Sequence, residues 1–223
     1  MRINRYIALS TGIGRRAADK LIASGRIKIN GKLAVMGMDV KPEDEVTLDN
    51  VPISPPAKTQ TIMLNKPVGY VCSRDGQGSN TIYDLLPPDL HNLKPVGRLD
   101  KDSSGLLLLT NDGELANKLT HPSFEKEKVY EVVLDKPLTG SDQHKIKQGV
   151  MVETYVSRLR LQKLETDKHQ VTNSYFLVTL TEGKNRQIRR TFSALKYDVK
   201  RLYRIQFGPY RLGKLKPSDF AIL

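Results

Sequence analysis

One short loop concentrates groups that can do acid–base or nucleophilic chemistry. Residues 97–105 hold two carboxylates, two cations and two hydroxyls between two glycines. The apolar run 106–109 follows directly and predicts a buried strand, and a polar loop that ends on such a strand is a common place for reactive groups. Asp100 follows the apolar Leu99, so we expect it to be partly buried and paired, with Arg98 close by. The same composition also fits an Asp- and Ser-rich turn capped by its own side chains, which local composition alone favours.

A second segment, residues 182–190, carries four cations where a predicted strand leads into a predicted helix. The free N–H groups of a helix N-terminus also bind anions. Further cations then alternate with aromatic rings, which suits a nucleic-acid surface because cations meet phosphates and rings stack on bases. A solvated basic helix face is the alternative, but the charge density favours binding. These further residues are Lys196, Tyr197, Lys200, Arg201, Tyr203 and Arg204.

The net charge of the 223 residues is +12, and it lies at the two ends of the chain. Residues 1–58 carry ten Lys and Arg against six Asp and Glu, and residues 181–223 carry eleven against three. The 122 residues between them are neutral. Two basic patches around a neutral middle indicate a polyanionic partner, of which nucleic acid is the commonest.

Several other classes of protein are excluded by inspection. The single Cys72 rules out an internal disulfide, a cysteine-based zinc site and a zinc deaminase of nucleobases. The chain has no phosphate-binding loop motif, so nucleotide hydrolysis is not expected, and its four His are scattered without metal-ligand spacing. Without a long apolar run or the apolar core of a signal peptide, we expect a cytoplasmic protein that contacts no membrane.

The first 50 residues predict a unit of two helices and three short strands. Residues 3–9 form the first expected helix, and a second ends at Gly25 with its apolar face made by Ala17, Ala18, Leu21 and Ile22. The strands are expected at 27–29, 33–35 and 46–48, the first two joined by a tight turn at Asn30 and Gly31. Gly12 and Gly14 superficially match a dinucleotide-binding fingerprint, which we reject because a helix precedes them instead of a strand.

Three prolines between residues 51 and 58 indicate a linker, so the domains are expected at 1–50 and 61–223 with a Pro-rich linker over 51–60. The second domain is predicted to be α+β, with helices and loops flanking a large, mainly antiparallel mixed sheet. Its expected strands are 61–65, 70–72, 106–109, 129–134, 159–164, 175–180 and 199–205, and its expected helices are 114–119 and 187–195.

The motifs together resemble one family. The run 97–113 closely resembles the signature of the RsuA family of rRNA pseudouridine synthases (RsuA/RluB/RluE/RluF type), and the resemblance extends to 64–69, 126–130 and 182–190. Residues 3–50 look like the S4 RNA-binding domain that commonly precedes this catalytic domain. The resemblance covers nearly the whole chain and implies isomerisation of uridine to pseudouridine, without cofactor or metal.

The resemblance also assigns roles to residues. It makes Asp100 the catalytic aspartate, either as a nucleophile at C1′ or as a base that removes the 2′ proton. Tyr130, which alone would be taken for a half-buried packing residue, corresponds to the tyrosine that stacks on the base. Arg189 corresponds to the arginine that pairs with the aspartate and favours its ionised form. The substrate-binding residues implied are Arg98, Leu99, Lys66, Ile188, Leu202, Arg186 and Arg190. In the S4-like domain, the expected RNA-binding residues are Arg2, Arg5, Arg15, Arg16 and Arg26.

The expected partner is ribosomal RNA, free or in an assembling ribosomal particle, and the protein is expected to be a monomer. The run 181–190 favours the large-subunit, RluB-like branch of the family, with the small-subunit, RsuA-like branch close behind. A non-catalytic RNA-binding ribosome-assembly factor on the same fold is the alternative function, although such a protein would not need Asp100, Tyr130 and Arg189 together. A DNA-binding regulator is suggested only by the charge and lacks a recognition-helix motif.

Overall fold

The computed structural model describes residues 1–55, 59–76, 78–164 and 174–223. The chain divides into two compact units, Met1–Gln60 and Thr61–Leu223. Each unit has its own hydrophobic core, so each is described separately.

The first unit packs two helices on a small antiparallel sheet. Apolar side chains from both helices and the central strands form its core, with Ile3, Ile7, Ile22 and Ile27 almost completely buried. Gly12 ends the first helix in the left-handed conformation that glycine adopts without strain, at φ 76°. The sheet order is β2-β1-β3-β4. The elements are α1 (Ile3–Thr11), α2 (Arg15–Ala23), β1 (Ile27–Ile29), β2 (Lys32–Leu33), β3 (Val46–Leu48) and β4 (Val51–Pro52).

The two helices and the strands at 27–29 and 46–48 are confirmed, with three differences. α1 runs two residues further than predicted, because the Ser10 and Thr11 hydroxyls donate to carbonyls one turn back instead of ending the helix. Ala17 is exposed, since the buried face of α2 is made by Ala18 and Ile22. The strand predicted at 33–35 stops at Leu33.

The linker was predicted to begin at residue 51, but its first two residues belong to a strand. Val51 and Pro52 pair with Leu48 and Thr47 and form an edge strand of the first sheet. An edge strand tolerates proline because one side of it has no neighbour to receive an N–H donor. Residues 56–58 of the predicted linker lie outside the described residues.

The second unit is an α+β fold around a nine-stranded mixed sheet. The path through its strands is β11-β12-β8-β13-β7-β5-β15, with β14 paired to β13 and β6 paired to β7. The pairs are antiparallel except for β7 with β13, which run parallel. The strands are β5 (Thr61–Lys66), β6 (Lys94–Pro95), β7 (Ser104–Thr110), β8 (Lys128–Leu134), β9 (Val150–Val152), β10 (Tyr155–Ser157), β11 (Arg160–Lys163), β12 (Tyr175–Leu180), β13 (Val199–Phe207), β14 (Tyr210–Arg211) and β15 (Phe220–Ile222). The helices are α3 (Gly113–Thr120), α4 (Gly140–Gln148) and α5 (Gln187–Ala194), with 3-10 turns at Ile82–Leu85, Pro88–Leu90 and Pro122–Phe124.

The inner strand β7 is apolar over residues 106–109 because both of its faces are covered there. Leu107 and Leu109 pack in the core that includes Tyr130, whereas Leu106 and Leu108 pack in a second cluster with Phe207. A continuous apolar run is the expected pattern for a strand buried on both faces. Among the described residues, no helix has the length and apolar character needed to cross a membrane.

The strand predicted at 70–72 is wrong. Only Val71 forms a bridge there, with Thr81, because this segment packs against the polar loop: Gly69 N–H donates to the Lys101 carbonyl. The helix α4, the β9–β10 hairpin and the last strand β15 were not predicted. They lack strong apolar periodicity, and β15 is recognisable only through its pairing with β5.

Candidate active site

The polar loop, the sheet and the start of α5 enclose one cleft of about 520 Å³ in the second unit. Asp100 comes from the loop before β7, Tyr130 from β8, Ile188 from α5 and Leu202 from β13. The structure therefore brings together four residues that are up to 102 positions apart in the sequence. The apolar Ile188 and Leu202 both line the cleft.

Strand pairing fixes the position of Tyr130. Val178, Tyr130, Arg204 and Gly105 lie in one row across β12, β8, β13 and β7. Gly105 has φ 103°, and a Cβ atom there would lie 2.3 Å from the Arg204 carbonyl oxygen. Only glycine lets the loop that carries Asp100 approach β13 this closely.

Lys66 fixes the loop that carries Asp100 through hydrogen bonds to the loop backbone. Its ammonium donates to the backbone carbonyls of Pro67, Asp100 and Ser103 at 3.1, 3.0 and 2.7 Å. The side chain is completely buried, and this burial lowers the pKa of Lys66. Lys66 is not among the residues that line the cleft, and its donors are used by the loop backbone, so its position does not support the predicted role in substrate binding.

Cys72 also contacts the backbone of this loop, at Leu99. Its thiol donates to the Leu99 carbonyl, and the Leu99 N–H lies 3.4 Å from its sulfur. Leu99 itself is buried and lines the cleft, whereas the Arg98 side chain is exposed there. The loop is thus fixed through its backbone, and its side chains are left to face the cleft.

Two carboxylates and one guanidinium form the centre of the site. Arg186 donates two hydrogen bonds to Asp102, at 3.1 and 2.9 Å, and its Nη1 lies 3.5 Å from Oδ2 of Asp100. Burial opposes the ionisation of Asp102, but the hydrogen bonds from Arg186 and the charges of Arg189 and Arg186 lower its pKa. The same hydrogen bonds raise the pKa of Arg186. The cation beside Asp100 is therefore Arg186, and the expectation of Arg98 in that place is wrong.

Arg189 does not pair with Asp100 in this structure, which corrects the predicted contact. Its Nη2 donates to the Asp102 backbone carbonyl, its Nη1 donates to the Val199 carbonyl, and its Nε lies 3.2 Å from Oδ2 of Asp102. These acceptors hold the guanidinium beside Asp102, two residues beyond the predicted partner. The side chain is mostly buried, and burial lowers the pKa of Arg189.

Arg190 lies outside this cleft. It pairs with Glu153 at 3.0 Å and donates to the Asn185 side chain, and it lines a second groove together with Lys200. Adjacent residues on a helix point about 100° apart, so Arg189 and Arg190 do not reach the same group. The prediction that Arg190 binds the reacting nucleotide therefore has no support from its position.

Three charged residues of the site were missed from the sequence. Asp102 was noted only as part of a polar loop, although it holds two arginines. Lys128 and Arg204 line the floor of the cleft, and Arg204 is only 2% exposed. The sequence reading placed Arg204 on an exposed basic surface with Tyr197, and both are buried. The alternation of side chains along β13 could have predicted this burial, since Leu202 and Arg204 lie on the same face of the strand.

The predicted RNA-binding cations of the first unit lie on its surface or near it. Arg2 pairs with Asp39 at 3.6 Å, and Arg26 forms hydrogen bonds with Asp49. Arg15 donates to the Asn4 side chain, whereas Arg16 is exposed on α2 and Arg5 is partly buried. The charges of Arg2 and Arg26 are thus partly neutralised within the unit, and those of Arg15 and Arg16 have no acidic partner among the described residues.

The cleft is suited to chemistry on a planar, uncharged ring. A half-exposed carboxylate, Asp100, faces a space walled by the Tyr130 ring and by two apolar side chains. Within the described ranges, no group of three or more His, Cys, Asp or Glu side chains is placed to hold a metal ion.

Comparison with known families identifies the class of protein. The profile of the family described as RNA pseudouridylate synthase matches residues 60–194, which include Asp100, Tyr130 and Arg189. The chain belongs to this family and is a pseudouridine synthase, an isomerase.

Individual relatives match over almost the whole chain. An uncharacterized RNA pseudouridine synthase of Aquifex aeolicus is 37% identical over 100% of this chain and 90% of its own length. The dual-specificity RNA pseudouridine synthase RluF of Escherichia coli is 37% identical over 100% of this chain and 75% of its length. The ribosomal large subunit pseudouridine synthase B of Bacillus subtilis is 34% identical over 98% and 90%. A crystal structure of a pseudouridylate synthase superposes with a TM-score of 0.71 at 30% identity, covering 100% of this chain and 96% of that one.

Proposed function

We propose that this enzyme converts a uridine of ribosomal RNA to pseudouridine in the cleft that Asp100 and Tyr130 share. One observation carries the proposal: a half-exposed carboxylate and a tyrosine ring face the same cleft, which the apolar Ile188 and Leu202 also line. A base turned out of the RNA stacks on the ring while the carboxylate reaches its sugar. The names of the Escherichia coli and Bacillus subtilis relatives support RNA, and large-subunit RNA in the latter case, as the substrate.

In this reaction the bond between C1′ and N1 of the uridine breaks, the base turns, and its C5 joins C1′. Asp100 acts either as the nucleophile that forms an ester at C1′ or as the base that removes the 2′ proton, and both routes need its ionised form. Arg186 lies 3.5 Å from the carboxylate and does not form a close pair that would block it. Tyr130 stacks on the base and accepts the C5 proton.

Large-subunit RNA is the favoured substrate. The identity to the large-subunit synthase of Bacillus subtilis supports this choice, as does the sequence run 181–190 with its double arginine. Small-subunit RNA is the second candidate, so both RNAs belong in the test.

The first unit serves as an S4-like RNA-binding module. Its helices present Arg15 and Arg16 at the surface without acidic partners among the described residues. A second contact with the same RNA raises the local concentration at the cleft and increases overall affinity without tight binding by either unit. Action as a monomer in the cytoplasm stays a prediction.

The experiment is tritium release from RNA labelled at uridine C5, with small- and large-subunit RNA offered separately to wild type and Asp100→Asn. Wild type is expected to release about one tritium per molecule of one RNA, because one C5 must lose its hydrogen when the new bond forms. Asp100→Asn is expected to release none. If neither free RNA reacts, precursor particles are tested in the same way. No release there either would contradict the proposal and favour a binding-only assembly factor.

A further inference from the structure

The floor of the cleft contains a buried cation whose charge nothing in the described chain balances. Arg204 is 2% exposed, and its Nε donates to the Leu106 carbonyl at 2.7 Å. Its Nη2 is buried without a hydrogen-bond acceptor among the described residues. An uncompensated buried charge is costly, so a fold that retains one at its active cleft has an anion to stabilise.

A second cation lies beside it. The Lys128 ammonium stands 5.3 Å from the centre of the Phe207 ring, and the Arg204 guanidinium stands 4.9 Å from the same centre. Among the described residues, the hydrogen bonds of Lys128 go to backbone carbonyls, those of Lys126, Thr181 and Glu182 at 3.3 to 3.5 Å. Burial and the charge of Arg204 lower the pKa of Lys128. Within the described residues neither cation forms an ion pair.

The two carboxylates of the site do not serve as their counter-ions. Asp102 is engaged by Arg186 and Arg189, and the cation closest to Asp100 is Arg186. The cleft therefore has positive charge at two separate places. One lies beside the carboxylates of Asp100 and Asp102. The other lies in the floor of the cleft, where Arg204 is the cross-strand neighbour of Tyr130.

We propose that Arg204 and Lys128 form an anion subsite that stabilises the detached uracil. This inference rests on the proposed function. When the C1′–N1 bond breaks, its electron pair leaves with the base, which becomes a uracil anion with its charge spread over N1, O2 and O4. C1′ is left either bonded to Asp100 as an ester or, after loss of the 2′ proton to Asp100, as an unsaturated sugar. The charge leaves the base again when C5 bonds to C1′. On the first route the ester bond breaks and Asp100 leaves as a carboxylate, and on the second Asp100 returns its proton to C2′. The base then loses the C5 proton and gains a proton on N1.

The position of the two cations favours the base over a phosphate as the anion. Arg204 lies in the same cross-strand pair as Tyr130, the ring on which the base stacks, and a buried charge acts strongly because little water screens it. A phosphate stays on the backbone, and the exposed Arg98 at the rim of the cleft is better placed for it.

The test compares the full-length variants Arg204→Met, Arg204→Lys and Lys128→Met with wild type under single turnover. Two RNAs are used, one with uridine and one with 5-fluorouridine, whose electron-withdrawing fluorine makes the base a less basic and better leaving group. The rate is followed as loss of the substrate nucleoside by chromatography of the digested RNA. This readout serves both RNAs, because C5 of 5-fluorouridine carries fluorine instead of hydrogen, so its reaction stops after the new bond forms and gives no simple isomer.

For Arg204→Met the rate with uridine is expected to fall on the order of 100-fold, the effect of removing one preorganised charge-stabilising group. The loss with 5-fluorouridine is expected to be several-fold smaller, because its anion needs less stabilisation. Arg204→Lys, which keeps the charge, is expected to retain more activity than Arg204→Met. Arg211→Gln, an exposed cation on the adjacent β14, is the control and is expected to leave the rate unchanged.

Each other outcome overturns the proposal. Equal losses with both RNAs would show that the cations act on something other than the leaving base. Weaker RNA binding with an unchanged single-turnover rate would assign them to a phosphate. If the unfolding temperature shows that Arg204→Met does not fold, the rates with the two RNAs are compared for Lys128→Met instead. An inactive wild type would overturn the proposed function together with the subsite, whereas an active wild type with unaffected variants would overturn the subsite alone.

Discussion

Arg186 and Asp102 form a two-point hydrogen-bonded pair, with Nη1 and Nη2 of the arginine 3.1 and 2.9 Å from the two carboxylate oxygens. Parallel hydrogen bonds of this kind fix the plane of a guanidinium as well as its position. Asp100 therefore receives only a longer contact of 3.5 Å from the same arginine. Asp102 thus competes with Asp100 for Arg186 and leaves the carboxylate of Asp100, the proposed catalytic group, open to the cleft.

Replacing Asp102 by Asn tests this competition. Without its charged partner, Arg186 is expected to move onto Asp100 and form a close pair, which makes the carboxylate less available. We expect the single-turnover rate of pseudouridine formation to fall by up to about 100-fold, the scale of a misplaced catalytic group. RNA affinity is expected to change much less. Asp89→Asn, at an exposed position away from the cleft, is the control. An unchanged rate in Asp102→Asn would contradict the competition.

The pKa of Asp102 also predicts a dependence of stability on pH. Because its pKa is lowered in the folded chain, Asp102 stabilises the fold above the ordinary carboxyl pKa of about 3.9 and loses this effect as the pH falls through the lowered value. The difference in unfolding temperature between wild type and Asp102→Asn is expected to be largest near about pH 6 and to shrink below about pH 4. Thermal unfolding at a series of pH values measures it. A difference that is constant with pH would show that the carboxylate contributes through shape alone.

Gly105→Ala is expected to destabilise the second unit by about 2 kcal/mol or more. The added Cβ would meet the Arg204 carbonyl oxygen at 2.3 Å, and φ 103° is unfavourable for alanine. The loop that carries Asp100 must then shift, so activity is expected to fall too. Gly113→Ala is the matched control, because nothing lies within 4 Å of its added Cβ. Denaturant unfolding of both variants makes the comparison, and equal stabilities would show that the close approach at Gly105 is not tight.

The first unit is tested by the double variant Arg15→Gln with Arg16→Gln. If both arginines contact phosphates, RNA affinity falls and the dependence of log K on log salt concentration becomes shallower by about 1 to 2, since each contact contributes about 0.7 to 0.9. The rate at saturating RNA is expected to stay the same, because the cleft lies in the second unit. Lys32→Gln, an exposed cation on β2, is the control. An unchanged salt dependence in the double variant would argue against RNA binding by this part of α2.

The strongly patterned elements were predictable from the sequence because each depends on its own residues. The run at 106–109 identified β7 since four consecutive leucines fit a strand that is buried on both faces. The helix predicted at 114–119 is confirmed as α3, and its Glu114 and Leu115 N–H groups donate to the Asp112 side chain. The segment 70–72 looked like a strand by composition, but it forms an isolated bridge at Val71, whose N–H donates to the Asn80 carbonyl and whose carbonyl accepts from the Ile82 N–H. No local pattern shows how short this pairing is.

Contiguous motifs were enough to identify the family and to predict Asp100 and Tyr130 as residues of one site. They do not encode which charges meet, because that depends on how the chain folds. Arg189 was expected beside Asp100, but α5 and β13 place its guanidinium on the Asp102 and Val199 carbonyls, and Arg186 takes the position beside Asp100. Lys66 was expected to bind substrate, yet the fold uses all its donors on backbone carbonyls. An ion pair depends on distances of a few ångströms between residues far apart in the chain, and those distances are set by strand register and helix rotation, which short motifs do not encode.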